Sequence, residues 1–195
     1  MIAAAITCVR DELNHAMKRR FPSTEDVVVV SNLFEPDGTP VTHAADRLCM
    51  FLVNVEREAT PQRGLNRVSG LSGSTGLYQP PVFLNLMVMF AANFSGTKYP
   101  EALKYLSAAT AFFQGRPVFD HQNTPGLERG IERLSFEIEN LSIADLGNLW
   151  GILGSRYVPS LLMRGRMVVI DSSQLTQQIP AVTRPDATAR APGLV

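Results

Sequence analysis

The thirteen residues from Val82 to Phe94 (VFLNLMVMFAANF) constrain this 195-residue chain more than any other stretch. Side chains of a strand point alternately to opposite faces. Read with that period, one face carries Val82, Leu84, Leu86, Val88, Phe90, Ala92 and Phe94. The other carries Phe83, Met87 and Met89 beside Asn85 and Asn93. A strand that is apolar on both faces must be covered on both, so the chain has to build a layer on each side of a sheet. The same run is too short for a membrane span, which needs roughly 20 apolar residues.

The other elements read as the material for those layers. Residues 1–21 form an amphipathic helix with Ile2, Ile6, Val9, Leu13, Ala16 and Met17 on one stripe, and Lys18, Arg19 and Arg20 at its negative end. Val27–Val30 is a short buried strand, and Asp37-Gly38 marks a turn. Arg47–Glu58 is a strand whose first half is apolar on both faces and whose second half emerges into solvent. Residues 99–114 form a helix opened by Pro100 and Glu101 and closed by Gly115 and Pro117, apolar enough to be covered on more than one side. Arg133–Leu141 alternates as a half-buried strand. Ser142 and Asp145 make a capping box for a helix presenting Leu146, Leu149, Trp150 and Leu153, which Gly154 ends. Residues 160–171 are a last strand, with Arg164 and Arg166 at the right period to face Glu137 and Glu139 across a shared sheet.

Two connections stand out. Residues 59–81, rich in Gly, Ser, Arg and Pro, and residues 116–131 are long, and loops of this length are often contact loops. After Asp171 the apolar periodicity stops. The expected organisation is therefore a mixed α/β (α+β) domain at residues 1–172, with about five strands in a central mixed sheet and about three flanking helices. A Pro/Ala/Thr-rich tail at 173–195 follows, extended or disordered.

Charge narrows the function. Lys plus Arg (18) equal Asp plus Glu (18), which removes the basic excess that drives phosphate-backbone binding; no nucleic-acid partner is expected. The same balance suits self-association. Cys8 and Cys49 are set in apolar patterns rather than in a CxxC pair, and read as buried small hydrophobes of a reducing compartment. Arg10, Asp11 and Glu12 follow the first apolar residues at once, unlike a secretory signal, so assembly in the cytoplasm is expected.

Catalytic patterns are poorly matched. Gly70-Leu71-Ser72-Gly73-Ser74-Thr75-Gly76 lacks the fifth-position Gly of a nucleophile elbow and the Lys of a P-loop. His15, His43 and His121 do not cluster at metal-ligand spacing, so neither a metal nor a cofactor is expected. Asp120-His121 reads as a loop anchor; as a general base it would need a nucleophile that the sequence does not supply nearby. The alternative within this class is a small hydrolase using Asp120 and His121 with a serine from 69–75. A monomeric adaptor is a further alternative.

Several segments together resemble a known family: VVVSNL (28–33), ADRLCMFLVNVERE (45–58), FLNLMVMFAANF (83–94), YPEALKYLSAATAFFQGRPVFDHQNTPGL (99–127) and the run from Ile131 to Asp171. The chain is similar to the cap, or tail-terminator, proteins of phage-tail-like contractile injection systems of the antifeeding-prophage and virulence-cassette type. The resemblance implies a homo-oligomeric, six-fold ring on the end distal to the baseplate, which stops growth of the inner tube and sheath and holds their ends. A terminator of a true phage tail is the neighbouring alternative. The family supplies no catalytic motif to transfer, so contact residues are candidates from physics: Arg63, Arg67 and Tyr78 in the first connection, Asp120 and His121 in the second, and Glu137, Glu139, Arg164 and Arg166 on strands expected toward a sheet edge.

Overall fold

Both faces of the strand at Val82–Asn93 are covered, and the rest of the larger unit is arranged around it. The computed structural model describes residues 1–58, 82–154 and 156–169, and the backbone of 66–69, 75–78 and 175–179. In chain order the elements are α1 (Ile2–Arg20), β1 (Val28–Val30), β2 (Arg47–Arg57), β3 (Asn66–Ser69), β4 (Thr75–Tyr78), β5 (Val82–Asn93), α2 (Tyr99–Gly115), β6 (Val118–Asp120), β7 (Ile131–Ile138), α3 (Ile143–Ile152), β8 (Ser160–Val169) and β9 (Leu175–Ile179). They fall into two compact units, Met1–Thr60 with Pro81–Ile170, and Pro61–Pro80 with Asp171–Val195.

The larger unit holds a six-stranded mixed sheet in the order β1-β2-β5-β8-β7-β6. Only β1 and β2 run parallel; every other neighbour is antiparallel. The expected five strands become six because β6, three residues long, lies inside the 116–131 connection. Val118-Phe119-Asp120 is too short for a periodicity and lacks the β-branched run that marks the equally short β1. The expected edge positions are also corrected. β8 lies between β5 and β7, and β7 between β8 and β6, so the true edges are β1 and β6. Burial explains the placement: Leu162, Met163, Met167 and Val169 of β8 are buried on both sides of the sheet, which an edge strand would leave exposed.

One face of the sheet packs on α1 and α2. The α1 stripe buries Ala5, Ile6, Val9, Leu13 and Met17 against Val28, Leu48, Met50 and the even-numbered residues of β5. Helix α2 adds Ala102, Ala108, Ala109 and Phe113, and Phe113 meets Phe90, Phe119 and Phe136 in an aromatic cluster with centroids 5.2 to 6.4 Å apart. Leu103 of α2, a helix expected to be covered on more than one side, is 45% exposed. Gly165 stands opposite Phe136, and a Cβ there would come within 2.8 Å of that ring. The other face packs on α3, through Met89, Ala91, Cys49, Phe51, Leu162 and Trp150. The expected cap forms: Asp145 N–H donates to Ser142 Oγ at 3.1 Å, and Ser142 Oγ–H donates to Asp145 Oδ2 at 2.6 Å.

In the smaller unit β3, β4 and β9 form a three-stranded antiparallel sheet. The sequence reading left 59–81 as a continuous connection, and the structure puts two strands in it, with a third after residue 173.

Asn14 fixes the start of β1. It is 6% exposed, accepts the Val27 and Val28 N–H groups at 2.9 and 3.1 Å on Oδ1, and donates through Nδ2 to Asp26 at 2.7 Å. Lys18 donates to the same Asp26 oxygen at 2.8 Å, and these bonds, Lys18 first, hold the Asp26 carboxyl below its ordinary range. Asn14→Ala would leave the Val27 and Val28 donors without an acceptor. Leaving a buried group unsatisfied costs about 1–3 kcal/mol, and urea unfolding of the variant should show a loss of that size.

Candidate functional site

Cross-strand register brings most of the candidate residues together. Residues paired across a sheet share a face. Glu56, Asn85, Arg166 and Ser135 lie in one row across β2, β5, β8 and β7. Asn54, Met87, Arg164 and Glu137 form the next row, and Phe83, Val168, Arg133 and Asp120 a third. These rows continue the face on which α3 packs, toward the ends of β2 and β8. There the side chains are half-buried or exposed. Glu58, Phe83, Arg133, Ser135, Arg166 and Val168 line a depression of about 400 Å³.

The charges on this face are interleaved. Arg164 stands opposite Glu137 but binds Glu139 diagonally at 2.7 Å. Arg166, expected to face Glu137 or Glu139, stands opposite Ser135 and pairs with Glu58 at the end of β2. The period was right and the register differs, because β7 and β8 pair two residues further along than a match of both arginines to both glutamates requires. Among the described residues, Asn85 Oδ1 and Arg164 Nε are buried there without a hydrogen-bond partner.

Asp120 and His121 do not form a dyad. Asp120 Oδ1 accepts the Gln122 and Asn123 N–H groups, both at 3.0 Å, while His121 is exposed on the turn. Arg63 lies outside the described residues, as do Ser72 and Ser74. Arg67 and Tyr78 are placed by backbone alone, opposite Leu77 and Asn66 on β3 and β4. Among the described residues no group of three or more His, Cys, Asp or Glu is gathered as metal ligands. Burial pushes the Cys49 thiol up to about 12, so it carries no thiolate near neutrality. Cys8, expected buried, is only half-buried; burial first, then Glu12 and Asp11, raises its pKa. An interleaved charged sheet face beside apolar side chains is suited to docking a protein surface of mixed charge.

Arg116 was missed by the sequence reading and holds the 116–131 connection in place. Its guanidinium binds Glu12 of α1 at 2.5 Å, donates to Asn123 O at 2.5 Å and Thr124 Oγ1 at 2.6 Å, and lies 5.1 Å from the centroid of the Phe119 ring. An arginine after a helix stop reads as a dipole partner; nothing local announces a carboxylate 104 residues away. Hydrogen bonds to charged groups contribute about 1.5–3 kcal/mol each. Arg116→Ala should therefore lower stability by about 2 kcal/mol and speed amide exchange over 120–127 well ahead of the strands.

The Pvc16 N-terminal domain family matches residues 4–184. Among solved structures, the fold resembles the sheath/tube terminator of an extracellular contractile injection system (PVC) in its extended state, at TM-score 0.62 and 17% identity over 97% of this chain and 65% of that one. It also resembles the tube-terminating cap of the anti-feeding prophage, at TM-score 0.56 and 17% identity over 91% of this chain and 60% of that one. The chain thus spans somewhat under two thirds of the length of each of these two structures. No curated protein matches it. The family match runs through every strand of both sheets, and the chain belongs to the Pvc16 N-terminal domain family.

Proposed function

We propose that this chain caps a contractile injection particle: it ends growth of the inner tube and sheath at the end distal to the baseplate and holds those ends by surface fit. The observation that supports this most is the likeness, over 97% of the chain, to a sheath/tube terminator. A homo-oligomeric ring of six copies matched to the tube is part of the proposal, as is assembly in the cytoplasm before the particle is complete. The role is structural and uses no cofactor. Asp120 accepts the backbone N–H groups of its own turn, as a loop anchor does. Among the described residues no helix is long and apolar enough to cross a membrane.

The proposed contacts lie at three places. The charged face formed by Glu137, Glu139, Arg164 and Arg166, with Arg133 and Glu58, meets a subunit of the particle. The β3–β4 segment carrying Arg67 and Tyr78, with Arg63 before it, reaches a neighbour, and the turn at Asp120-His121 does the same from the other connection. Arg164 and Arg166 keep 37% and 55% of their side-chain surface exposed within their ion pairs, which leaves both within reach of a partner.

Electron microscopy of particles from a strain lacking this gene should show overlong or uncapped sheaths, and particles of normal length and end structure would overturn the reading. Arg133→Glu with Arg166→Glu should shift the thermal midpoint by only a few degrees yet leave particles uncapped; normal capping would remove this face from the interface. Deleting 64–76 takes away β3 and the first half of β4 but no strand of the six-stranded sheet. That variant should fold and give sheaths of uncontrolled length, and normal particles would refute the assignment.

A further inference from the structure

Arg133 stands directly opposite Asp120 across β6 and β7. Cross-strand neighbours of opposite charge attract one another and ordinarily pair. Here they do not. Asp120 Oδ1 is turned to its own loop, where it accepts the Gln122 and Asn123 N–H groups at 3.0 Å each. Among the described residues no ion pair includes Arg133, and Arg133 is exposed. Its charge is therefore left for a ligand that these residues do not supply.

The surroundings of Arg133 define that ligand. Arg133 lies opposite Val168 and Arg166 opposite Ser135, so the two arginines are diagonal neighbours about 7–8 Å apart on one face. Long side chains at that spacing can converge on one small group. Arg166 gives Nη2 to Glu58, and a guanidinium has five N–H donors in all. More than half of its side chain stays exposed, so donors remain. The Ser135 hydroxyl is a further donor in the same depression of about 400 Å³, in which Glu58 is the single carboxylate. Phe83 and Val168, both half-buried, supply the apolar part of the lining. An ion pair formed against that lining loses part of its contact with water, and a lower local dielectric strengthens it.

We propose that this depression seats one carboxylate of a tube or sheath subunit, held by Arg133 and Arg166, with Ser135 Oγ–H donating to it. Guanidinium groups only donate, and their planar fork matches the two oxygens of a carboxylate. Glu58 already offsets one of the two arginines, which leaves one positive charge for one carboxylate. A polyanion such as a nucleic-acid backbone would also meet Glu58, and Glu56 in the next row, and be repelled. Two copies joined through this same face would be related by a two-fold axis, which a six-fold cyclic ring lacks. In such a ring the site instead recurs once per copy and matches a partner ring with one carboxylate per subunit. This contact rests on the capping reading and gives one point of the charged face its chemistry.

In the test, Arg133→Lys is introduced into the full chain made together with the other particle proteins, and assembled particles are treated with a water-soluble carbodiimide. The reagent activates a carboxylate, and an amine in contact with it displaces the urea and leaves an amide that mass spectrometry locates. The expected product joins position 133 to an Asp, a Glu or a terminal carboxylate of a tube or sheath subunit. A link within the chain or to a second copy, or none at 133 although the chain is on the particle, overturns the proposal. Absence of the unsubstituted chain from particles overturns the capping reading instead. Retention on particles then separates charge from shape. Arg133→Gln stays polar without the charge and should lower the amount retained about tenfold or more, whereas Arg133→Lys should stay within about threefold of the unsubstituted chain. Circular dichroism should be unchanged in both. Full retention of a folded Arg133→Gln chain, or equal loss in the two variants, overturns the site.

Discussion

β5 is hydrogen-bonded along nearly its whole length to β2 on one side and β8 on the other, and its side chains alternate between two separate cores. Leu86, Val88, Phe90 and Ala92 enter the core under α1 and α2, while Met89 and Ala91 enter the core under α3. Residues with no exposed surface on either side stabilise the fold only while both layers stay in place. Fully burying one large apolar side chain contributes about 1.5–3 kcal/mol, so loss of either layer would strip several such contributions at once. Helices α1, α2 and α3 are attached to the sheet by this requirement.

Among the described residues the cover is complete over only part of the sheet, and the contact face we propose lies where it stops. On the α3 face the apolar rows give way to Asn85, Arg164, Arg166, Glu137 and Arg133 toward the ends of β2 and β8. A sheet face carrying interleaved charges gains little folding energy from them. At the opposite margin β1 stops after three residues, and among the described residues the next step of β2 has no backbone partner. The capping role we propose needs surfaces that fit the last subunit and do not propagate, whereas a long open edge would pair indefinitely.

Much of the architecture was legible because its signals are local. The stripe of α1, the two faces of β5, the Pro100–Gly115 bounds of α2 and the Ser142 cap depend on residues within a turn or two of each other. Short strands without a β-branched run such as that of β1, and strands with weak alternation, were not legible. β6 has three residues, and β3, β4 and β9 lie in segments rich in Gly, Ser, Arg, Gln or Pro where alternation is weak. The candidate residues were a mixed outcome: Glu139 and Arg164 do pair, Arg166 chooses Glu58 instead, and Arg116 was unseen because its partner Glu12 is remote in sequence.

By itself, the sequence determined that the chain forms layers: side-chain period and capping chemistry specify which residues are helical, which are extended and which faces must be buried. Only the tertiary structure decided strand order, register and edges, since these are set by which distant strands meet and by how far each slides along its neighbour. A shift of two residues keeps the same face buried and costs the core little, but it changes every charge pair on the open face. The core was therefore readable in advance, and the placement of the charges had to be seen.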